Sequence, residues 1–167
     1  IKELIILKLK RYYEFVKGEE YKNSFINLTI TYGYSDFIEM LSRIALEKVV
    51  ERISEISEQG KVRILFNEEI KINNKKGDLL KTCDVILFTN ETVEVIRIVP
   101  MELDIINVNN DDESMILGIG VIDKFATQMD CKYINLTVIQ PNLITTSIYE
   151  TSINKFLHEY DFSLIWS

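Results

Sequence analysis

The residues with the clearest chemical potential lie in the segment CDVILFTNETVEVIRIVP, residues 83–100. It carries one carboxylate, Asp84, in its first apolar run and one guanidinium, Arg97, in its second. Both runs are rich in β-branched residues, and the polar TNET between them favours a turn, so the segment predicts a β-hairpin. A buried carboxylate needs a cation, and a guanidinium satisfies it with two hydrogen bonds. We therefore expect Asp84 and Arg97 to form a salt bridge.

A long helix is expected to precede this hairpin. Ser35 is placed to cap it, and Gly60 to end it. Apolar residues recur between them at spacings of three and four, which is the helical period. These residues are Phe37, Met40, Leu41, Ile44, Ala45, Val49, Ile53 and Ile56.

The remaining elements follow from a change of period. Alternation at every second residue predicts strands over residues 62–72, 82–90, 92–99 and 132–142. A helical stripe with acids at its front occupies residues 112–129, and a last helix is expected over residues 152–160. The order helix, three strands, helix, strand, helix predicts an α/β fold, with a mixed sheet between helices.

The first 34 residues are harder to interpret. Residues 1–17 fit a helix about as well as a strand, and FINLTITYGY, residues 25–34, is typical of a strand or a buried connector. With no repeat or linker composition, we expect a single domain over residues 1–167. It divides into an amino-terminal extension, 1–34, and a core, 35–167.

Charge limits the classes of partner. The chain has 26 acidic and 19 basic residues, a net charge of −7, which disfavours direct DNA binding. MELDIINVNNDDES, residues 101–114, has five acids and no base, so it is either a solvated loop or a docking surface for a basic partner. The five acids are Glu102, Asp104, Asp111, Asp112 and Glu113.

Neither cysteine usage nor hydropathy indicates secretion or a membrane. Cys83 and Cys131 lie beside apolar runs without the spacing of a zinc site, so we expect reduced core thiols. No apolar run reaches the roughly 18 residues that a membrane-spanning helix needs. We expect a cytoplasmic protein.

Several segments resemble one enzyme family. NEEIKI, TCDVILF, VEVIRIV, NNDDESMILGIG and LTVIQPNLITTSIYETS, within residues 45–157, are similar to segments of RecB-like nucleases encoded by phages and prophages. These belong to the PD-(D/E)XK superfamily and are relatives of the exonucleases that accompany CRISPR adaptation. The resemblance implies a restriction-endonuclease-like core in the cytoplasm of a host cell.

The resemblance also implies a degenerate site. In the family, an aspartate on the second strand and an acid two residues before a lysine on the third hold divalent cations. Asp84 matches the aspartate, but Arg97 and Val99 stand at the positions of the acid and the lysine. Glu113 and Leu117 stand where many relatives carry Gln and Tyr. Relatives often add a histidine or glutamate from the amino-terminal helix.

Alternative interpretations of these residues remain open. Asp84 could be a surface acid near a turn, and Glu68 and Glu69 could be rim residues without a role. Glu94 is expected on the opposite face of its strand from Arg97. If the site is active, Asp84 could bind Mg²⁺ with migrated acids just past the strand, Glu102 and Asp104. The only histidine, His158, is expected to be a surface or packing residue.

Three functions follow as hypotheses. The first is a catalytically inactive, nuclease-like phage protein without a cofactor, which binds a protein partner with a basic surface. A host defence complex of the CRISPR type, inhibited by this binding, would fit. The alternative is a Mg²⁺-dependent DNA exonuclease with a migrated acid. The third is an assembly module that forms a homo-oligomer through its apolar first 34 residues.

Overall fold

The structure is a computed structural model. It describes residues 1–18, 23–74, 77–101, 112–125 and 131–150. The predicted helix over 152–160 and His158 lie outside the described residues.

Three helices form a layer on one side of the sheet. They are α1 (Lys2–Val16), α2 (Ser24–Tyr32) and α3 (Tyr34–Ser57). The first segment is a helix rather than a strand, because Ile5, Leu9 and Val16 then lie on one face and are buried. Helix α3 confirms the long helix predicted in this part of the chain.

The segment FINLTITYGY is neither the strand nor the buried connector expected, since most of it forms α2. The Asn23 side chain accepts hydrogen bonds from the backbone N–H groups of Phe25 and Ile26, which caps the helix. Phe25 also packs edge-on against Tyr12 and Phe37. Capping and aromatic packing thus outweigh the β-propensity of the segment.

The predicted cap of α3 is also wrong. The N-cap residue is Gly33, with a φ of 86° that disfavours other residues, and no side chain caps the helix. Ser35 lies inside the first turn. At the other end α3 stops at Ser57, three residues before the predicted stop at Gly60.

In the described part of the chain, the sheet has five strands in the order β1-β2-β3-β4-β5. Strands β3 and β4 are parallel and the other neighbours are antiparallel, so the predicted mixed sheet is confirmed. The last strand, ITTSIYE, is not among the predicted elements. The strands are β1 (Arg63–Asn74), β2 (Gly77–Phe88), β3 (Thr92–Ile98), β4 (Tyr133–Ile139) and β5 (Ile144–Glu150).

Helix α4 (Asp112–Phe125) lies between β3 and β4 in the chain and matches the described part of the helix predicted from residue 112. It packs with strand residues in one apolar cluster, the α4 core, which includes Ile70, Ile86 and Ile122. A second cluster, the helical-layer core, unites α1–α3 with strand residues such as Val85 and Ile98. The sheet therefore has helices on both faces, and the predicted α/β fold is confirmed.

The described part of the first 34 residues contributes to the helical-layer core. Ile5 and Leu9 of α1 and Ile26 of α2 have at most 2% of their surface exposed. Whether residues 35–167 form a separable core stays a prediction. No helix in the described part of the chain has the length and apolarity to cross a bilayer.

Candidate functional site

Asp84 of β2 is buried and makes two polar contacts through one carboxylate oxygen. Its Oδ2 atom accepts a hydrogen bond from the backbone N–H of Ile98, at 2.7 Å, and forms a salt bridge with Lys8 Nζ, at 2.6 Å. Only 5% of the Asp84 side chain and 27% of the Lys8 side chain are exposed. The same ammonium donates to the carbonyl oxygen of Ile98, at 2.7 Å. One cation thus lies against a carboxylate oxygen and a carbonyl oxygen.

A local break in the pairing of β1 with β2 precedes this contact. The register is constant along the hairpin but omits Asn67 and Asp84, and Asn67 has a φ of 51°. Cys83 packs in the α4 core, whereas Val85 packs in the helical-layer core. The regular alternation of faces therefore changes phase at Asp84, whose carboxylate meets Lys8 of α1.

The expected salt bridge between Asp84 and Arg97 is wrong. Ile96 and Ile98 belong to the helical-layer core, so alternation places the half-buried Arg97 on the face of α4. The carboxylate of Asp84 meets Lys8 of α1 instead. The counterion is therefore supplied by the amino-terminal helix, not by the hairpin.

The other residues of the expected degenerate site are dispersed. Val99 is buried in the helical-layer core and Leu117 in the α4 core. Glu113 of α4 forms a salt bridge with Lys81 of β2. These contacts are structural, and none of the three residues joins the pair of Lys8 and Asp84.

Most of the acidic stretch lies outside the described residues. Glu102, Asp104 and Asp111 lie outside the described residues, and Asp112 is the first residue of α4. The docking surface predicted for this stretch stays a prediction.

Glu68 and Glu69 of β1 contact Lys124, which lies in the last turn of α4. Lys124 donates to Glu68 Oε1, at 2.9 Å, and to the backbone carbonyl of Glu69, at 2.7 Å. The carboxylate of Glu68 and the backbone of Glu69 thus connect β1 to α4.

The described residues do not fit a Mg²⁺ site at Asp84. Its Oδ2 and the Ile98 carbonyl are oxygen ligands that a hard cation accepts, but Lys8 Nζ already contacts both atoms. Nor do three histidine, cysteine, aspartate or glutamate side chains come together as metal ligands in residues 1–18, 23–74, 77–101, 112–125 and 131–150.

A second buried ion pair connects α3 to the sheet. Glu94 of β3, whose side chain is 1% exposed, accepts hydrogen bonds from Nε of Arg52, at 2.8 Å, and from its Nη2. The hydrogen bond from Arg52 to Glu94 raises the pKa of the guanidinium. Glu94 lies on the face of α3, opposite to Arg97, so the predicted placement is confirmed.

Asn135 completes this polar group from β4. Its Nδ2 donates to Glu94 Oε1, at 3.1 Å, while its Oδ1 is buried without a hydrogen-bond partner. A buried acceptor left unpaired costs about 1–3 kcal/mol. The group therefore carries an unmet hydrogen-bonding requirement.

A cavity of about 260 Å³ opens beside this group, between the carboxyl-terminal half of α3 and the sheet. Its polar lining includes Arg52, Glu55, Glu94 and Asn135. Its apolar walls are Ile56, Leu87 and Ile148. Ile148 of the last strand is 65% exposed, so the mouth of the cavity has an apolar edge.

A larger, apolar groove of about 450 Å³ lies at the other end of α3. Its lining includes the partly exposed Leu28 and Tyr32 of α2, Met40 of α3, and Pro141. It holds no charged residue in its lining, so it offers a contact surface rather than a site for chemistry.

Comparison with known proteins places the chain in a family. The sequence profile of DUF2800, a family of proteins of unknown function, matches residues 2–162. The chain belongs to the DUF2800 family. No curated protein matches the sequence.

Among solved structures, this DUF2800 chain is similar to the one titled "Crystal structure of SSO0001". The two are 16% identical, the match covers 92% of this chain and 70% of the other, and the TM-score is 0.40. A likeness at this level carries no argument about activity.

Lys8 and Arg52, the basic residues of the two buried ion pairs, are not among the candidate residues predicted from the DUF2800 sequence. Lys8 lies three residues after Ile5 and one before Leu9, and Arg52 lies three residues after Val49. A basic residue inside an apolar helical stripe is a signal for a buried ion pair, because long basic side chains are otherwise placed on the solvated face. That signal was present and identifies Lys8 and Arg52.

Proposed function

We propose that this protein is a catalytically inactive relative of the RecB-like PD-(D/E)XK nucleases and acts by binding another macromolecule. The observation that carries the proposal is the ammonium of Lys8, which lies against Asp84 Oδ2 and the Ile98 carbonyl. A divalent cation would need these same oxygen atoms. The lysine supplies a fixed positive charge in place of an exchangeable one.

Electrostatic repulsion disfavours a divalent metal ion at Asp84 while the Lys8 ammonium is there. A cation brought next to Lys8 would meet a like charge a few ångströms away in a poorly solvated site, where such repulsion is strong. Moving Lys8 away would leave Asp84 without its counterion and would break the polar contact between α1 and the sheet. The energetic cost of either change supports loss of metal binding.

The sequence supports the same proposal independently. In the resemblance, Arg97 and Val99 replace the acid and the lysine of the catalytic strand. The structure adds that the Val99 side chain is buried in the helical-layer core. Two of the residues that the chemistry needs are thus replaced.

The partner we propose is a protein with a basic surface. The net charge of −7 disfavours an unaided nucleic-acid complex and favours a basic protein. A nucleic-acid-binding host defence complex, such as a CRISPR effector met in the cytoplasm of a phage-infected cell, has this chemistry. Binding to its nucleic-acid groove would inhibit it.

The activity test uses the purified protein with linear single- and double-stranded DNA, in Mg²⁺ or Mn²⁺. We expect no degradation, and no heat of Mn²⁺ binding by calorimetry. Lys8→Ala is the informative variant, because it frees both oxygens without adding a ligand. Degradation by the natural sequence that Asp84→Ala abolishes would refute the proposal and support the Mg²⁺-dependent exonuclease.

The partner test uses affinity capture from an infected or lysogenic host, followed by mass spectrometry. We expect a basic nucleic-acid-binding protein. If the acidic stretch is the contact surface, charge reversal of Asp111, Asp112 and Glu113 should weaken the binding of this partner by tenfold or more. The reversed residues would then place positive charge against the basic surface of the partner. An unchanged affinity would remove that stretch from the interface.

A further inference from the structure

We propose that the cavity beside Arg52, Glu94 and Asn135 receives one basic side chain, an arginine, of the partner protein. This inference rests on the proposed function, because it names how a basic partner would be held. It concerns a different part of the molecule from the pair of Lys8 and Asp84. The cavity's charge, hydrogen-bonding groups, walls and size all support it.

Charge comes first. Arg52 and Glu94 neutralise each other in a buried pair, so Glu55 leaves the lining with a net negative charge. The side chain of Glu55 is 53% exposed, and it touches Arg52 Nη1 at 3.3 Å. A positively charged ligand is therefore favoured over an anion.

The acceptor oxygens of the lining favour a ligand group with several hydrogen-bond donors. Asn135 Oδ1 has no partner, and it is held in this orientation because its Nδ2 donates to Glu94. The lining also includes Thr89 and Thr92. A guanidinium carries five N–H donors in a plane, so it can bind the exposed Glu55 carboxylate with two of them and keep others for neighbouring groups of the lining.

The walls suit the rest of an arginine side chain. Leu87 and Ile56 form apolar surface inside, and Ile148 forms it at the mouth. Methylene groups of long basic side chains pack against such surface while their charged ends reach polar groups. A volume of about 260 Å³ falls below the usual range for cofactors and drug-sized ligands and suits one side chain.

The probe is Nα-acetylarginine methylamide, added to the full ¹⁵N-labelled chain and followed by NMR. We expect saturable shifts of the Asn135 side-chain amide and of the Thr89 and Thr92 backbone amides, with a dissociation constant on the order of 1 mM. The control ligand is Nα-acetylcitrulline methylamide, which has nearly the same shape but no charge. It should bind at least fivefold more weakly.

Two variants at exposed positions locate the site without disturbing the core. Glu55→Gln should weaken binding about three- to fivefold, as expected for a partly exposed charge pair. The matched control is Glu47→Gln, which removes the same charge two helical turns away and should leave affinity unchanged. Ile148→Lys places a competing cation at the mouth and should abolish the shifts.

Four results would overturn the inference: no saturable shift, shifts on another surface, equal binding of the citrulline derivative, or equal weakening by Glu47→Gln. Tighter binding of agmatine than of the arginine derivative would also overturn it, since the ligand would then be a free metabolite. None of these results bears on metal binding or nuclease activity, so the proposed function would still stand or fall by its own test.

Discussion

Lys8 and Arg52 have the same structural role at two places in the fold. Each extends from a helix of the helical layer to an almost fully buried carboxylate on the sheet. Such pairs add little net stability compared with apolar residues, but breaking one leaves an uncompensated buried charge. They therefore fix how the helices sit on the sheet more than they increase the free energy of unfolding.

Lys8→Met should lower the free energy of unfolding by about 3–5 kcal/mol, because Asp84 then remains buried without a cation. The double variant Lys8→Met, Asp84→Asn should recover part of this loss, since asparagine is neutral and still accepts a hydrogen bond from Ile98. Urea denaturation of the single and double variants measures both values. Strictly additive losses would show that the two side chains do not interact.

Cys83 should be unreactive in the folded protein. Burial, and secondarily the nearby Asp84, raise the pKa of its thiol from 9.0 to about 12. The folded state thus keeps the proton to higher pH than the unfolded chain. Cys83 leaves stability unchanged below about pH 8 and lowers it between pH 9 and about 12, by roughly 1.4 kcal/mol per pH unit.

Alkylation by iodoacetamide at pH 8.5, located by mass spectrometry, tests this prediction. Cys83 should react only after urea is added. Rapid modification of Cys83 without denaturant would mean that the α4 core opens locally.

At the scale of elements, α4 lies unusually close to the sheet. A Cβ atom added to Gly120 would come within 2.4 Å of Ile70 Cγ2 and 3.1 Å of Ile72 Cγ1. One added to Gly118 would come within 2.7 Å of Leu136 Cδ2, the end of a flexible side chain. These glycines serve close packing, since they lie inside a helix.

Gly120→Ala should destabilise the protein by about 1–3 kcal/mol, because the β-branched Ile70 cannot move aside easily. The gain in helix propensity, up to about 1 kcal/mol, offsets only part of this cost. Gly118→Ala is the matched control and should cost less, because Leu136 can change rotamer. Thermal unfolding followed by circular dichroism ranks the two variants, and the reverse order would contradict the packing argument.

The elements that the sequence predicts are those with one strong period. The apolar stripe from Phe37 to Ile56 and the alternation in β1 to β4 suffice for α3 and four strands. Helix α2 is not predicted from the sequence because its residues favour strands, whereas its stability comes from the Asn23 cap and from aromatic packing. Strand β5 escapes because ITTSIYE is mostly polar and is defined by pairing with β4.

The candidate site is less predictable than the fold. Asp84 stands out by type, but its partner Lys8 is 76 residues away, and the pairing of β1 with β2 breaks at Asn67 and Asp84. Such a break has no local signal in an otherwise regular alternation. Polar residues inside apolar stripes are the most informative feature for finding such partners.

At the scale of the whole molecule, the amino-terminal helices are part of the core. They supply Ile5, Leu9, Phe25 and Ile26 to the helical-layer core and Lys8 to Asp84. The exposed Phe15, Ile30 and Tyr32 leave apolar surface on the same helices. A homo-oligomer formed through this surface stays a prediction, to be tested by light scattering.

Deletion of residues 1–34 should abolish cooperative folding. The deletion uncovers α3 and one face of the sheet, and it leaves Asp84 without its counterion. We expect loss of the thermal transition and of dispersed amide resonances in NMR spectra. A cooperative transition near that of the full chain would show that residues 35–167 fold independently.

The parallel pairing of β3 with β4 sets an order of events during folding. Thr92 pairs with Tyr133, so this ladder closes a loop of about 40 residues, whereas the β1–β2 and β4–β5 hairpins close over a few. Loop-closure entropy favours the hairpins and helices as early intermediates and delays the joining of the two sheet halves. The rate-limiting step of refolding is therefore expected to be the docking of β4 and β5 onto β3.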